Sequence, residues 1–127
     1  MAEKTLQFLA VTDDPTIGQV LRELSPSPGW SLVVFRDAAS VFSSSVLELH
    51  MLLLDEAVTQ QILTTVVRRA RKRFPGVDIT VVGGPKSDDM RAAAKREGVD
   101  CYVERPLEPA SVRSVLEHRR NLAEMRA

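Results

Sequence analysis

The sequence predicts an α/β domain: a doubly wound, five-stranded parallel sheet with five helices, (βα)5. Three observations predict it. Short apolar runs alternate with amphipathic stretches along the whole chain. The run Met51-Leu52-Leu53-Leu54 is apolar on both faces, as in a sheet covered by helices on both sides. The 127 residues, 44% hydrophobic and 27% charged, suit one domain with a sizeable core, spanning 1–127 with its core over about 6–122.

Each element has its own signal. Leu6 to Val11 is a strand, stopped by Thr12-Asp13-Asp14-Pro15. Proline suits a first helical turn, and Ile17, Val20, Leu21 and Leu24 then mark one helix face. Ser25-Pro26-Ser27-Pro28-Gly29 breaks that helix. Trp30 to Phe35 is a second strand. Val41, Phe42, Ser45, Val46 and Leu49 form a weaker helical stripe through a serine run. The third strand, Met51 to Leu54, ends in Asp55-Glu56. Ile62, Val66, Ala70 and Phe74 mark the third helix, ended by Pro75-Gly76. Ile79 to Val82 is the fourth strand, closed by Gly83-Gly84-Pro85. A short helix over about Ser87 to Glu97 ends at Gly98. Cys101 to Val103 is the fifth strand, and Val112, Val115, Leu116 and Leu122 carry a last helix.

Composition excludes several function classes. Seventeen Lys and Arg balance seventeen Asp and Glu, which removes the global electrostatic case for direct nucleic-acid binding. The longest uncharged apolar run is far too short to span a bilayer, and no secretory signal is visible, so a cytoplasmic setting is expected. The single cysteine, Cys101, rules out an intramolecular disulfide and reads as buried and inert. His50 and His118 stand apart from any metal-ligand or catalytic spacing. Arg68, Arg69, Arg71, Lys72 and Arg73 read as a cation cluster favoured at a helix C-terminus rather than as a docking patch. Gly83-Gly84-Pro85-Lys86-Ser87 lacks the spacing of a phosphate loop.

In an open α/β sheet, ligands bind outside the carboxyl ends of the strands. The residues there are Thr12, Asp13 and Asp14, Asp55 and Glu56, Gly83 and Gly84, and Glu104 and Arg105. Clustered carboxylates repel unless a cation joins them, and Mg2+ suits few protein oxygens and several waters. With such an ion Asp55 becomes a candidate nucleophile toward phosphorus, and Arg105 a holder of a phosphoryl oxygen.

From about Leu6 to Leu122 the chain resembles the receiver domains of bacterial two-component response regulators, with the CheY-like, flavodoxin-like fold. The resemblance rests on Phe8-Leu9-Ala10-Val11-Thr12-Asp13-Asp14-Pro15-Thr16-Ile17, on the strand-terminal Asp55, and on Glu97-Gly98-Val99-Asp100-Cys101-Tyr102-Val103-Glu104-Arg105-Pro106. It implies Asp55 as phosphoacceptor, Arg105 as phosphoryl clamp, and Mg2+ held by Asp13, Asp55 and the backbone carbonyl of Ala57. It implies an inward-turning aromatic at Tyr102 and a cis bond before Pro106. It also implies a histidine kinase or phosphotransfer protein as one partner and an effector domain or protein as the other. Such a domain is not an enzyme beyond Mg2+-dependent self-phosphorylation and dephosphorylation.

The departures from the family are equally specific. Aligned on Pro15, the usual acidic pair falls on Thr12 and Asp13, so one acid is lost. The hydroxyl position falls on Gly83. The lysine is Arg105, a planar fork rather than a point charge. Val58-Thr59 and Ile62-Leu63 replace the usual loop residues after Asp55. An atypical receiver that accepts phosphate on Asp55 is the first reading. A phosphorylation-independent pseudo-receiver serving as an interaction or dimerisation module is the second. A small flavodoxin-like enzyme or nucleotide binder ranks last, because the first turn is not glycine-rich. The last helix, with Val112, Val115, Leu122 and Met125 near heptad spacing, leaves open a homodimer or continuation into an output domain.

Overall fold

Strands and helices alternate strictly in the computed structural model, which describes residues 5–24, 29–59, 62–84 and 88–126. In order they are β1 (Leu6–Val11), α1 (Pro15–Leu24), β2 (Trp30–Phe35), α2 (Ala38–Ser43), β3 (Met51–Asp55), α3 (Leu63–Arg73), β4 (Asp78–Gly83), α4 (Asp88–Arg96), β5 (Cys101–Glu104) and α5 (Pro109–Arg126). The strands form one parallel sheet in the order β2-β1-β3-β4-β5. The predicted break at Ser25-Pro26-Ser27-Pro28 and the Pro85-Lys86-Ser87 stretch lie outside the described residues. No helix among the described residues is long and apolar enough to cross a membrane.

Two-residue alternation divides the core between the two faces of the sheet. Leu9, Val11, Leu52, Leu54, Ile79 and Val81 face one way, onto Val41 and Phe42 of α2 and Val66, Val67 and Ala70 of α3. Phe8, Ala10, Met51, Leu53 and Val82 face the other way, onto Ile17, Val20 and Leu21 of α1 and Val112, Leu116 and Ala123 of α5. Because both faces are covered, β3 and β4 are buried at every position.

The second helix departs from its predicted stripe. It ends at Ser43, and Val46 and Leu49 reach the core from an irregular segment. The serine run explains this. The Ser43 hydroxyl donates to the Ser40 carbonyl and the Ser44 hydroxyl to the Val41 carbonyl, at 3.3 and 2.7 Å, while Ser44 is already extended. Serine side chains that bond nearby backbone compete with helix continuation. His50 has a structural place: its Nδ1 accepts the Gln7 N–H at 3.0 Å, and its backbone N–H donates to the Gln7 carbonyl at 3.0 Å.

The arginines of the basic run in α3 tie that helix to other parts of the chain. Arg68 pairs with Glu97, Arg69 lies over the Phe42 ring, and Arg73 bonds the carbonyls of Phe42 and Ser44. Arg71 bonds the carbonyls of Val77 and Gly98 and the Asp100 carboxylate. Asp100 in turn accepts the Ile79 N–H at 2.8 Å.

Beside it, at the amino end of the sheet, Asp78 is 1% exposed and accepts from Arg119 of α5 through both oxygens. These bonds hold the Arg119 guanidinium above its usual pKa against the opposing effect of burial. Removing one partner of a buried pair strands the other charge, at a cost of about 3–5 kcal/mol. Arg119→Ala should therefore lower unfolding stability in urea by about 3 kcal/mol, with Asp78→Asn in the same chain recovering part of the loss. Arg68→Ala, which breaks an exposed pair, should leave the urea midpoint in place.

Candidate functional site

The chain runs from β1 outward to β2, then returns across β1 to β3, β4 and β5. The order therefore reverses between β1 and β3, where an open α/β sheet forms its crevice. Val11 pairs with Leu54 in register, so Thr12 and Asp55 emerge side by side from the carboxyl ends of these strands. β5 brings in Arg105 immediately after Glu104.

Asp55 is wholly buried, at 0% exposure, and both its carboxylate oxygens are engaged. Oδ2 accepts from the Thr12 hydroxyl at 2.9 Å and from Arg105 Nη2 at 2.7 Å. Oδ1 accepts from the Ala57 N–H at 3.1 Å. The turn after β3 also closes on the Asp55 carbonyl, which accepts from the N–H groups of Val58 and Thr59 and from the Thr59 hydroxyl.

Arg105 bridges two acids. Its Nη2 also reaches Asp14 Oδ2 at 3.0 Å, and its Nε the same oxygen at 3.3 Å. The Asp55 hydrogen bond is the main cause that raises the Arg105 pKa, with burial opposing and Asp14 adding. The guanidinium thus stays charged wherever the protein is folded. Asp14 does a second job: its Oδ1 accepts the Thr16 and Ile17 N–H groups and caps α1. Thr12 Oγ1 accepts the Asp14 N–H at 3.1 Å while donating to Asp55, which sets the direction of its proton.

The structure therefore brings together Asp55, Arg105, Thr12 and the Ala57 amide, and leaves Asp13 exposed. Asp14 is a residue that the sequence placed at this edge without giving it a role. Its signal was the Asp-Pro pair at a helix start, which reads as a cap and hides the second carboxylate oxygen. Glu56 is another such residue. Its Oε1 accepts the Gly84 N–H at 2.7 Å and clips the β3 and β4 loops together. Tyr102 of β5 packs its half-buried ring on the α2–α3 side of the core, against Gly83. The Arg105–Pro106 peptide bond is cis.

The two carboxylates of this edge are already joined by a protein cation. No group of three or more His, Cys, Asp or Glu is placed to hold a metal among the described residues. The position between Asp14 and Asp55 is filled by a guanidinium, and a hydroxyl stands where a second acid would be needed.

The chain aligns with a CheY-like response regulator receiver domain protein from Methanospirillum hungatei JF-1 at a TM-score of 0.77. Identity is 18%, and the match covers 98% of this chain and 100% of that one. It has the receiver-domain fold. The signal receiver domain of an HD domain-containing protein from Pseudomonas fluorescens Pf-5 matches at a TM-score of 0.71 and 22% identity, over 93% of this chain and 99% of that one. The Mn(2+)-bound form of the response regulator Rcp1 matches at 0.69 and 17%, over 87% and 91%. No family model matches the sequence, and no curated protein does.

Within this receiver fold, the arginine bridge sets the behaviour of the edge. Arg105→Ala should cost about 3 kcal/mol in urea unfolding, because Asp55 is left buried and unpaired. Arg105→Lys should recover only part of it, since one ammonium lacks the fork that reaches both acids. Adding Asp55→Asn to Arg105→Ala should restore more stability than the lysine does, and equal losses in all three variants would contradict the bridge.

Proposed function

We propose that this chain is a phosphorylation-independent receiver-type module of two-component signalling, acting through protein–protein contacts with an effector domain or protein. The observation that carries this reading is the bridge of Arg105 between Asp14 and Asp55. A carboxylate that attacks phosphorus needs a free oxygen, an approach for the donor and a cation on the phosphoryl oxygens. Asp55 has 0% exposure, and each of its oxygens accepts a protein hydrogen bond. The cation at its side belongs to the protein and is tied to a helix cap.

Three sequence departures support the same reading. Thr12 replaces an acid and neutralises nothing, but donates to Asp55. Gly83 supplies no hydroxyl. Arg105 holds two carboxylates at once, which a lysine ammonium does less well. In this reading the module serves as a pre-formed docking unit in the cytoplasm, and a histidine kinase has no acceptor to charge.

Intact-mass spectrometry tests it. The folded chain is incubated with a small acyl phosphate, with and without Mg2+, beside Asp55→Asn. The expected result is an unmodified mass in every arm. A Mg2+-dependent phosphoryl adduct that disappears in Asp55→Asn would overturn the proposal and make Asp55 a working phosphoacceptor.

A further inference from the structure

Gly83 is a glycine without a backbone reason. Its φ is not among the positive values, which occur at Gly29, Gly76 and Gly98. It ends β4 in regular parallel pairing, where Val81 is opposite Tyr102 and Gly83 opposite Glu104. Any residue could adopt that backbone, so the reason must be space.

The space is taken by Tyr102. Residues 81 and 83 share one face of β4, and Tyr102 stands on that face beside Val81. Its side chain leans along the strand over Gly83, within reach of a diagonal neighbour. A Cβ on Gly83 would lie 1.8 Å from the Tyr102 hydroxyl oxygen, 2.5 Å from Cζ and 3.1 Å from Cε2. The first two are far inside any non-bonded contact, and the clash involves the ring as well as the hydroxyl. The hydroxyl is closed off from solvent. On the outer side Arg91 of α4 places its guanidinium carbon 5.5 Å from the ring centroid and pairs with Glu104 of β5. The Gly83 carbonyl accepts the Arg105 N–H at 2.9 Å, so this contact adjoins the bridge at Asp55.

We infer that Gly83 and Tyr102 form a steric latch that holds the β5 aromatic inside and keeps the α4–β5 surface in one arrangement whatever the state of Asp55. The absent side chain at 83 is the socket and the tyrosine is the bolt. Arg91, riding on the ring and on Glu104, passes the ring position to α4. The use of this surface for docking rests on the proposed function; the latch itself does not.

Tyr102 is the chain's one tyrosine, so it can be followed alone. Nitration with tetranitromethane, read by the mass of the Tyr102 peptide, reports on ring access. In the folded chain nitration should be slower than for free tyrosine by about tenfold, because the hydroxyl end of the ring is closed off and opens only by local motion. Addition of acyl phosphate and Mg2+ should leave that rate unchanged. Gly83→Ala should raise the rate toward that of free tyrosine and lower the thermal midpoint. In a Tyr102→Leu background, Gly83→Ala should leave the midpoint unchanged, because the clash is gone. Fast nitration of the parent chain, an unaltered rate in Gly83→Ala, or the same midpoint loss with leucine at 102 would each overturn the latch. If Gly83→Ala alone does not fold, the Tyr102→Leu pair decides: folding like its parent upholds the latch, and failing to fold overturns it. A rate change with acyl phosphate would overturn independence from Asp55, whereas a phosphoryl adduct without a rate change would overturn only the proposed function.

Discussion

One guanidinium holds the functional edge together. Arg105 enters from the end of β5 and reaches back to Asp55 at the end of β3 and to Asp14 at the start of α1. Three segments distant in sequence thus depend on a single planar cation. A fork can satisfy two carboxylates at once, and a buried carboxylate must have such a partner to remain charged. Thr12 and the Ala57 amide complete the cage. The same contacts that stabilise Asp55 also enclose its carboxylate.

The charge pattern at the two ends of the sheet follows one logic. At the amino end Asp78 and Asp100 are held by Arg119 and Arg71, which join α5 and α3 to β4 and β5. At the carboxyl end Asp14 and Asp55 are held by Arg105. In both places an arginine from one element secures a carboxylate on another that is distant in sequence. The apolar layers between them give burial, but burial is non-directional. The ion pairs add direction, because a fork bonds well only in a narrow geometry.

Packing makes a second, uncharged constraint beside the arginine bridge. Tyr102 occupies the room that a side chain at 83 would need, and the glycine there lets an aromatic from the next strand lean inward. Read as loss of a hydroxyl, Gly83 is a defect. Read with its neighbour, it is one half of a fitted pair. The two readings differ only in where the tyrosine points, which no local pattern reveals.

The fold was largely legible in the sequence, since strand and helix periods are local and each apolar run carried its own stop. β1, β2 and α1 follow their residue patterns closely, and Met51 to Leu54 announced a strand covered on both faces. The serine-rich second helix fell short, where side-chain hydroxyls competed for its carbonyls, and Ile62, read as the first residue of the third helix's apolar stripe, stands before that helix with its side chain exposed. The strand-end residues Thr12, Asp55, Gly83 and Arg105 were also readable, because topology alone sends them to one edge. The tertiary structure decided which of them touch. It chose Asp14 over Asp13 as the second carboxylate at Arg105, turned the chain after β3 back onto the Asp55 carbonyl and seated Tyr102 against Gly83. Those outcomes depend on side-chain directions across strands that are tens of residues apart in sequence, and a one-dimensional pattern carries no such distances.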